Sequence, residues 1–100
     1  ESILLFIKNH QKKMDISGHK IANIIVYFPS KRQEILNEFS QISNKYEHIL
    51  RSNTQYYLKK YIIRSIIVAG DGEEIEDFFT SLSRSKNFKC IIQYITLPKE

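Results

Sequence analysis

The period of apolar and polar positions changes several times along these 100 residues. In HKIANIIVYF, residues 19–28, Ile, Val and aromatic side chains crowd together as in a buried strand. Beyond Pro29, the residues Ile35, Phe39, Ile42 and Tyr46 fall at helical steps and form one amphipathic stripe. Ser30 and Gln33 precede that stripe in S-x-x-Q spacing, which predicts a capping box satisfying free backbone N–H groups at the helix start. HILRSNTQYYL, 48–58, returns to a period near two. Lys59-Lys60 makes a turn, and YIIRSIIVAG, 61–70, is a third strand, apolar almost throughout apart from Arg64. Gly70-Asp71-Gly72 interrupts the pattern. Asp71 and Glu74 predict a second cap, Glu73 and Glu74 suit the positive end of a helix, and Ile75, Phe78, Phe79 and Leu82 are its stripe. SRSKN, 83–87, turns the chain into a last strand, FKCIIQYITL, 88–97, which Pro98 ends. At the start, ESILLFIKNHQKK carries Ile3, Phe6 and Ile7 on one side, a short amphipathic helix that DISGHK breaks at Gly18.

After that opening helix the order is β-α-β-β-α-β. This predicts an α+β, ferredoxin-like domain: four antiparallel strands with both helices on one face. Such a fold serves many functions, so function has to come from particular residues.

Composition narrows the classes. Hydrophobic residues are 42% of the chain and twelve are aromatic, enough for a core of modest size that oligomerisation would support. The net charge of +4 is uneven. Residues 1–70 hold 11 Lys and Arg against 5 Asp and Glu, and residues 71–100 hold 4 against 6, a basic bias too small to define a nucleic-acid binder. Cys90 is the single cysteine, which excludes an internal disulfide and suits a reducing, cytoplasmic setting. No apolar run approaches the roughly 18 residues of a membrane span, and ILLFI is too short for a signal peptide. The chain starts at Glu1 partway into a helix, so a preceding segment is expected.

The residue chemistry supports few activities. His10, His19, His48 and Cys90 fall on different elements, with no spacing that brings three or four donors onto one ion. Cys90 alternates in phase with Phe88, Ile92 and Tyr94 and reads as a small core residue. VAGDGEE lacks a G-K-[ST] ending and places acids where a phosphate would sit, so it reads as a tight strand-to-helix turn. No nucleophile elbow occurs, and the carboxylate pairs Glu34/Glu38 and Glu73/Asp77 read as solvated helix charges. An enzyme is not expected. RNA binding through sheet aromatics is the rival reading, on Tyr27, Tyr56 and Tyr94 with Lys20 and Lys89 nearby. The RNA-recognition aromatic motif is absent, however, and packing of these tyrosines in a protein interface is the plainer account.

Four stretches then combine. ESILLFIKNHQKK, IIVYFPSKRQEI, RSIIVAGDGEEIEDF and FKCIIQYITLPKE resemble, in order and spacing, successive parts of the nickel-responsive regulator family (NikR). Its members join a ribbon-helix-helix DNA-binding domain to a ferredoxin-like ACT-type domain. The resemblance implies that residues 1–14 are the end of a helix from the upstream domain, 15–18 a linker and 19–100 the ACT-type domain. It also implies a site. The family holds nickel by a His-x-His on the second strand, a Cys at the start of the third, and a His from the first helix of a neighbouring subunit. On this chain the His-x-His falls on Thr54 and Tyr56, the Cys on Ile62 and the helix His on Ser43. A supporting acid falls on Arg64. None of these suits the square-planar N/S site of nickel, so no metal and no cofactor are expected.

The resulting expectation is a regulatory and oligomerisation domain of a NikR-like transcription regulator that has lost its nickel site. Its partners would be further copies of itself, as a tetramer through the ACT-type domains, and DNA through the upstream domain; no membrane is involved. Ser43, Thr54, Tyr56, Ile62 and Arg64 form the candidate effector or interface site. Arg64 in the former metal neighbourhood would need acceptors or an anion. The alternative is an ACT-type sensor of a small anion or amino acid, or of a metal at a non-family site through His48 or His19.

Overall fold

Eleven residues, with Ile21, Ile24, Ile25, Val26, Tyr27 and Phe28 β-branched or aromatic and burial alternating along them, make His19–Pro29 the central strand β1. The computed structural model describes residues 18–96. The expected helix over 1–14, the linker residues 15–17 and the chain end with Pro98 lie outside them.

After β1 come helix α1 (Gln33–Lys45), a short 3₁₀ turn (Glu47–Ile49), β2 (Leu50–Leu58), β3 (Tyr61–Asp71), helix α2 (Gly72–Arg84) and β4 (Lys89–Ile95). The strands pair antiparallel in the order β2-β3-β1-β4. This is the ferredoxin-like arrangement. Ala22, Ile24, Val26 and Phe28 of β1 point to one side and are sealed by Ile35 and Phe39 of α1 and by Ile75, Phe78 and Leu82 of α2. Phe28, Phe39 and Phe88 meet with ring centroids 5.3–6.0 Å apart at one end of this core.

Three local expectations change. The Ser30–Gln33 capping box does not form: α1 starts at Gln33 with Arg32 at the cap position and no side-chain cap bond. Ser30 instead gives its backbone N–H to the Lys60 carbonyl at 2.8 Å, and the Gln33 amide donates to Asn37 at 3.0 Å. The turn thus stays tied to the hairpin, and the helix begins later. Asp71 caps α2 by position but not with its side chain, and Glu74 pairs with His48 at 2.7 Å. Finally, residues 48 and 49 lie in the 3₁₀ turn, so β2 begins at Leu50, while β3 continues through Gly70 to Asp71.

The inner stripe of α1 is Ile35, Phe39 and Ser43, with Leu36, Ile42 and Tyr46 flanking it. The stripe of α2 lies as its spacing predicts. So does Cys90, half-buried on the helix side of β4, its Sγ 3.4 Å from Ser83 Oγ. Burial pushes its thiol pKa up, which favours the neutral form.

Candidate functional site

On β3 the residues Ile62, Arg64, Ile66 and Val68 share the face turned to the helices, since Arg64 stands opposite Val26 and Ile62 opposite Phe28. The three aliphatic members are buried, whereas Arg64 is only partly so. The guanidinium leaves the core sideways. β2 next to it is exposed from Arg51 to Leu58, so no helix covers that flank. The Arg64 stem lies along the apolar row and its head reaches the uncovered edge, as long cationic side chains do. There its Cζ sits 4.9 Å from the centroid of the Phe39 ring and its Nη1 donates to Asn53 Oδ1 at 3.0 Å. Its Nε is shielded from solvent and has no hydrogen-bond partner. Burial pulls the Arg64 pKa down from its ordinary value, with the neighbouring Tyr57 phenol acting in the opposite direction; arginine nonetheless stays cationic throughout the physiological range.

Strand register decides which residues join it. Leu58 and Tyr61 flank the two-residue Lys59-Lys60 turn, in which Lys59 has a left-handed φ of 55°. Counting back, Tyr57 stands opposite Ile62, Gln55 opposite Arg64 and Asn53 opposite Ile66. These three therefore share the Arg64 face. Thr54 and Tyr56 stand opposite Ser65 and Ile63 and lie on the other side of the sheet. The expected five-residue cluster is thus divided. Ser43, Ile62 and Arg64 are on the helix side, and Thr54 and Tyr56 are on the open side. Ser43 is 8% exposed, one helical turn beyond Phe39, and its Oγ has no hydrogen-bond partner. Asn53, Gln55 and Tyr57 are the residues that sequence reasoning missed. The signal that finds them is the length of the turn, which sets the parity of the hairpin. Gln55 Nε2 donates to the Tyr57 hydroxyl oxygen at 2.9 Å.

The aromatics proposed for RNA stacking are also split. Tyr94 is buried among the helices, while Tyr27 and Tyr56 lie on the open face at 44% and 55% exposure. His48 faces Glu74 across the junction of the 3₁₀ turn and α2. Among the described residues, no three His, Cys, Asp or Glu side chains gather where they could hold a metal ion. No described helix is long and apolar enough to cross a membrane.

Comparison with known proteins bears on this hairpin directly. The model of the NikR C-terminal nickel-binding domain matches residues 21–91, which takes in most of β1, the whole hairpin, both helices and the start of β4. The chain belongs to this family. Among curated relatives, Putative nickel-responsive regulator 3 of Methanosarcina acetivorans is 24% identical over 90 residues, 89% of this chain and 64% of the relative. Putative nickel-responsive regulator 2 of Methanosarcina mazei is 23% identical over the same shares. The chain therefore spans just under two-thirds of the length of these relatives. An uncharacterized protein of Thermotoga maritima superposes with a TM-score of 0.73 at 7% identity, covering 79% of this chain and all of that one, and shares the fold.

The NikR domain is described by its nickel, so the donors at these positions can be tested against that ion. Thr54 and Tyr56 supply hydroxyls, Ile62 a hydrocarbon, and Ser43 a buried hydroxyl. Asn53, Gln55 and Tyr57, on the face of Arg64, supply two amides and a phenol beside a fixed cation. Neither set offers the imidazole or thiolate that square-planar nickel takes, and a guanidinium repels a metal cation. These residues do not fit nickel.

Proposed function

We propose that this chain is the regulatory and assembly module of a NikR-type transcription regulator whose hairpin works without nickel. The observation that carries the reading is Arg64: within a nickel-binding-domain family, the face of the hairpin that meets α1 presents a cation flanked by Asn53, Gln55 and Tyr57. In this reading the module is cytoplasmic, joins copies of itself into a tetramer, and holds ribbon-helix-helix DNA-binding domains, supplied by an upstream region, at a separation set by the symmetry of the assembly.

Support for assembly comes from the second face of the sheet. Ile21, Ile25, Ile63, Ile67, Ile91 and Ile95 occupy it, and Ile91 and Ile95 are 50% and 38% exposed. A sheet face meant for water alternates to polar side chains. This one sets six isoleucines beside Tyr27, Tyr56, Leu58 and Tyr61, with polar residues such as Asn23, Ser65 and Gln93 among them, an apolar patch of the kind an interface covers.

The deciding experiment is nickel uptake. Full-length protein dialysed against nickel chloride, freed of loose metal and digested for elemental analysis is expected to retain far less than one nickel per chain. One tightly held ion per chain overturns the reading.

A further inference from the structure

Arg64 has hydrogen-bonding capacity that the described residues do not use. A guanidinium carries five N–H donors. One, on Nη1, goes to Asn53, and the Nε donor is unmatched. Among the described residues no Asp or Glu oxygen comes within 4.0 Å of it; the ion pairs are Arg32–Glu34 and His48–Glu74, both elsewhere. Beside it, the Tyr57 oxygen accepts from Gln55, which leaves the phenol proton free to be given to another acceptor. Tyr57 is 71% exposed, so that proton faces solvent. Phe39 backs the guanidinium with an aromatic surface, and the flank between α1 and β2 is open.

We propose that this flank binds a single carboxylate group, with Arg64 as the cation, the Tyr57 hydroxyl as a second donor, and Asn53 and Gln55 as positioning residues. One fixed positive charge with an apolar backing matches a monoanion. The guanidinium fork matches the two oxygens of a planar carboxylate, which a bidentate pair recognises in direction as well as charge. The unmatched Nε fits the same picture: a carboxylate that draws the head group toward solvent gives that donor an acceptor. The group can come from a free small carboxylic acid or from an Asp or Glu of a second copy of the chain, and both present the same chemistry.

The test follows the Arg64 Nε–Hε resonance of ¹⁵N-labelled full-length protein during titration with sodium acetate, with sodium chloride at equal ionic strength as the control. Its absence from the spectrum of Arg64→Gln assigns it. The expected result is a saturable shift with acetate and none with chloride. Tyr57→Phe, a change at an exposed position that leaves the fold in place, weakens acetate by about 2- to 10-fold, the loss of one hydrogen bond. Dilution separates the sources. A carboxylate from a second copy makes the resonance move as the oligomer dissociates, and acetate then loosens the oligomer; a free site is indifferent to dilution. A resonance that responds to neither acetate nor dilution, or acetate binding undiminished in Arg64→Gln, overturns the proposal. The proposal rests on the metal-free reading of the hairpin, but the two fail separately: nickel retention defeats that reading, and a silent Arg64 defeats only the carboxylate site.

Discussion

Tyr94 and Arg64 are two polar side chains placed in rows of apolar ones, and they are accommodated in opposite ways. Tyr94, in line with Phe88 and Ile92 on the edge strand β4, is 3% exposed because α2 covers that edge. It is satisfied where it lies, by donating its hydroxyl proton to Glu76 of α2. Burial, that hydrogen bond and the Glu76 charge all push the phenol pKa above its ordinary value. The sign of the pH effect follows. Below about pH 10 the tyrosine is neutral in both folded and unfolded chains. Above it the unfolded chain releases the proton while the folded one holds it, so stability falls as pH rises. Tyr94→Phe is expected to be less stable than the parent at pH 7, by about 1 kcal/mol for the lost hydrogen bond, and to close that gap between pH 10 and 11 in urea melts. A gap independent of pH would show that the phenol does not titrate in this way. Arg64 has the length to reach outward and takes its partners from the flank.

At the scale of elements, the strand and helix types were legible because each segment keeps one period long enough to identify it. The strands β1 and β4 and the stripe of α2 follow from their spacing alone; the stripe of α1 is turned by one position, bringing Ser43 inward and leaving Ile42 and Tyr46 at its sides. What the spacing did not carry was the face of β2. A residue-for-residue match to a family places side chains along a strand, but the turn decides which way they point, and one residue more or less there exchanges Thr54 and Tyr56 for Gln55 and Tyr57. Helix starts were obscured for a related reason: the Ser30 backbone is held by Lys60, a contact from a distant part of the chain. Gly70 was legible as a glycine but for the wrong cause. It ends no strand; a Cβ there would come within 2.8 Å of Ile49 Cγ2. Ile49 is 2% exposed and has little room to move. Gly70→Ala is therefore expected to cost about 1–3 kcal/mol, measured as a lower midpoint in denaturant, and Ile49→Val in the same chain is expected to recover part of the loss. An unchanged midpoint for Gly70→Ala would mean that the 3₁₀ turn shifts freely.

For the whole molecule the decisive asymmetry is between the two faces of one sheet. Both helices lie on one side, and the other keeps six isoleucines, with Asn23 and Ser65 joined by a hydrogen bond of 3.1 Å among them. Charge placed on that second face discriminates between water and a protein neighbour. At an exposed site a lysine changes the stability of a single chain by no more than about 0.5 kcal/mol; inside an interface an unpaired ammonium is strongly disfavoured. Ile91, opposite Ile25 and half exposed, is the position to use. Ile91→Lys is expected to lower the mass seen by light scattering at tens of micromolar protein while leaving the far-ultraviolet circular dichroism of the chain intact. Ser40→Lys, at an exposed position of α1, is the matched control, and its mass is expected to equal that of the parent. A parent that is monomeric at that concentration overturns the assembly role; if the parent assembles and Ile91→Lys assembles equally, the isoleucine face is not where copies meet, and the role passes to the exposed edge of β2. There a uniform run from Ser52 to Leu58, with no charge and no proline, leaves backbone groups open to pairing.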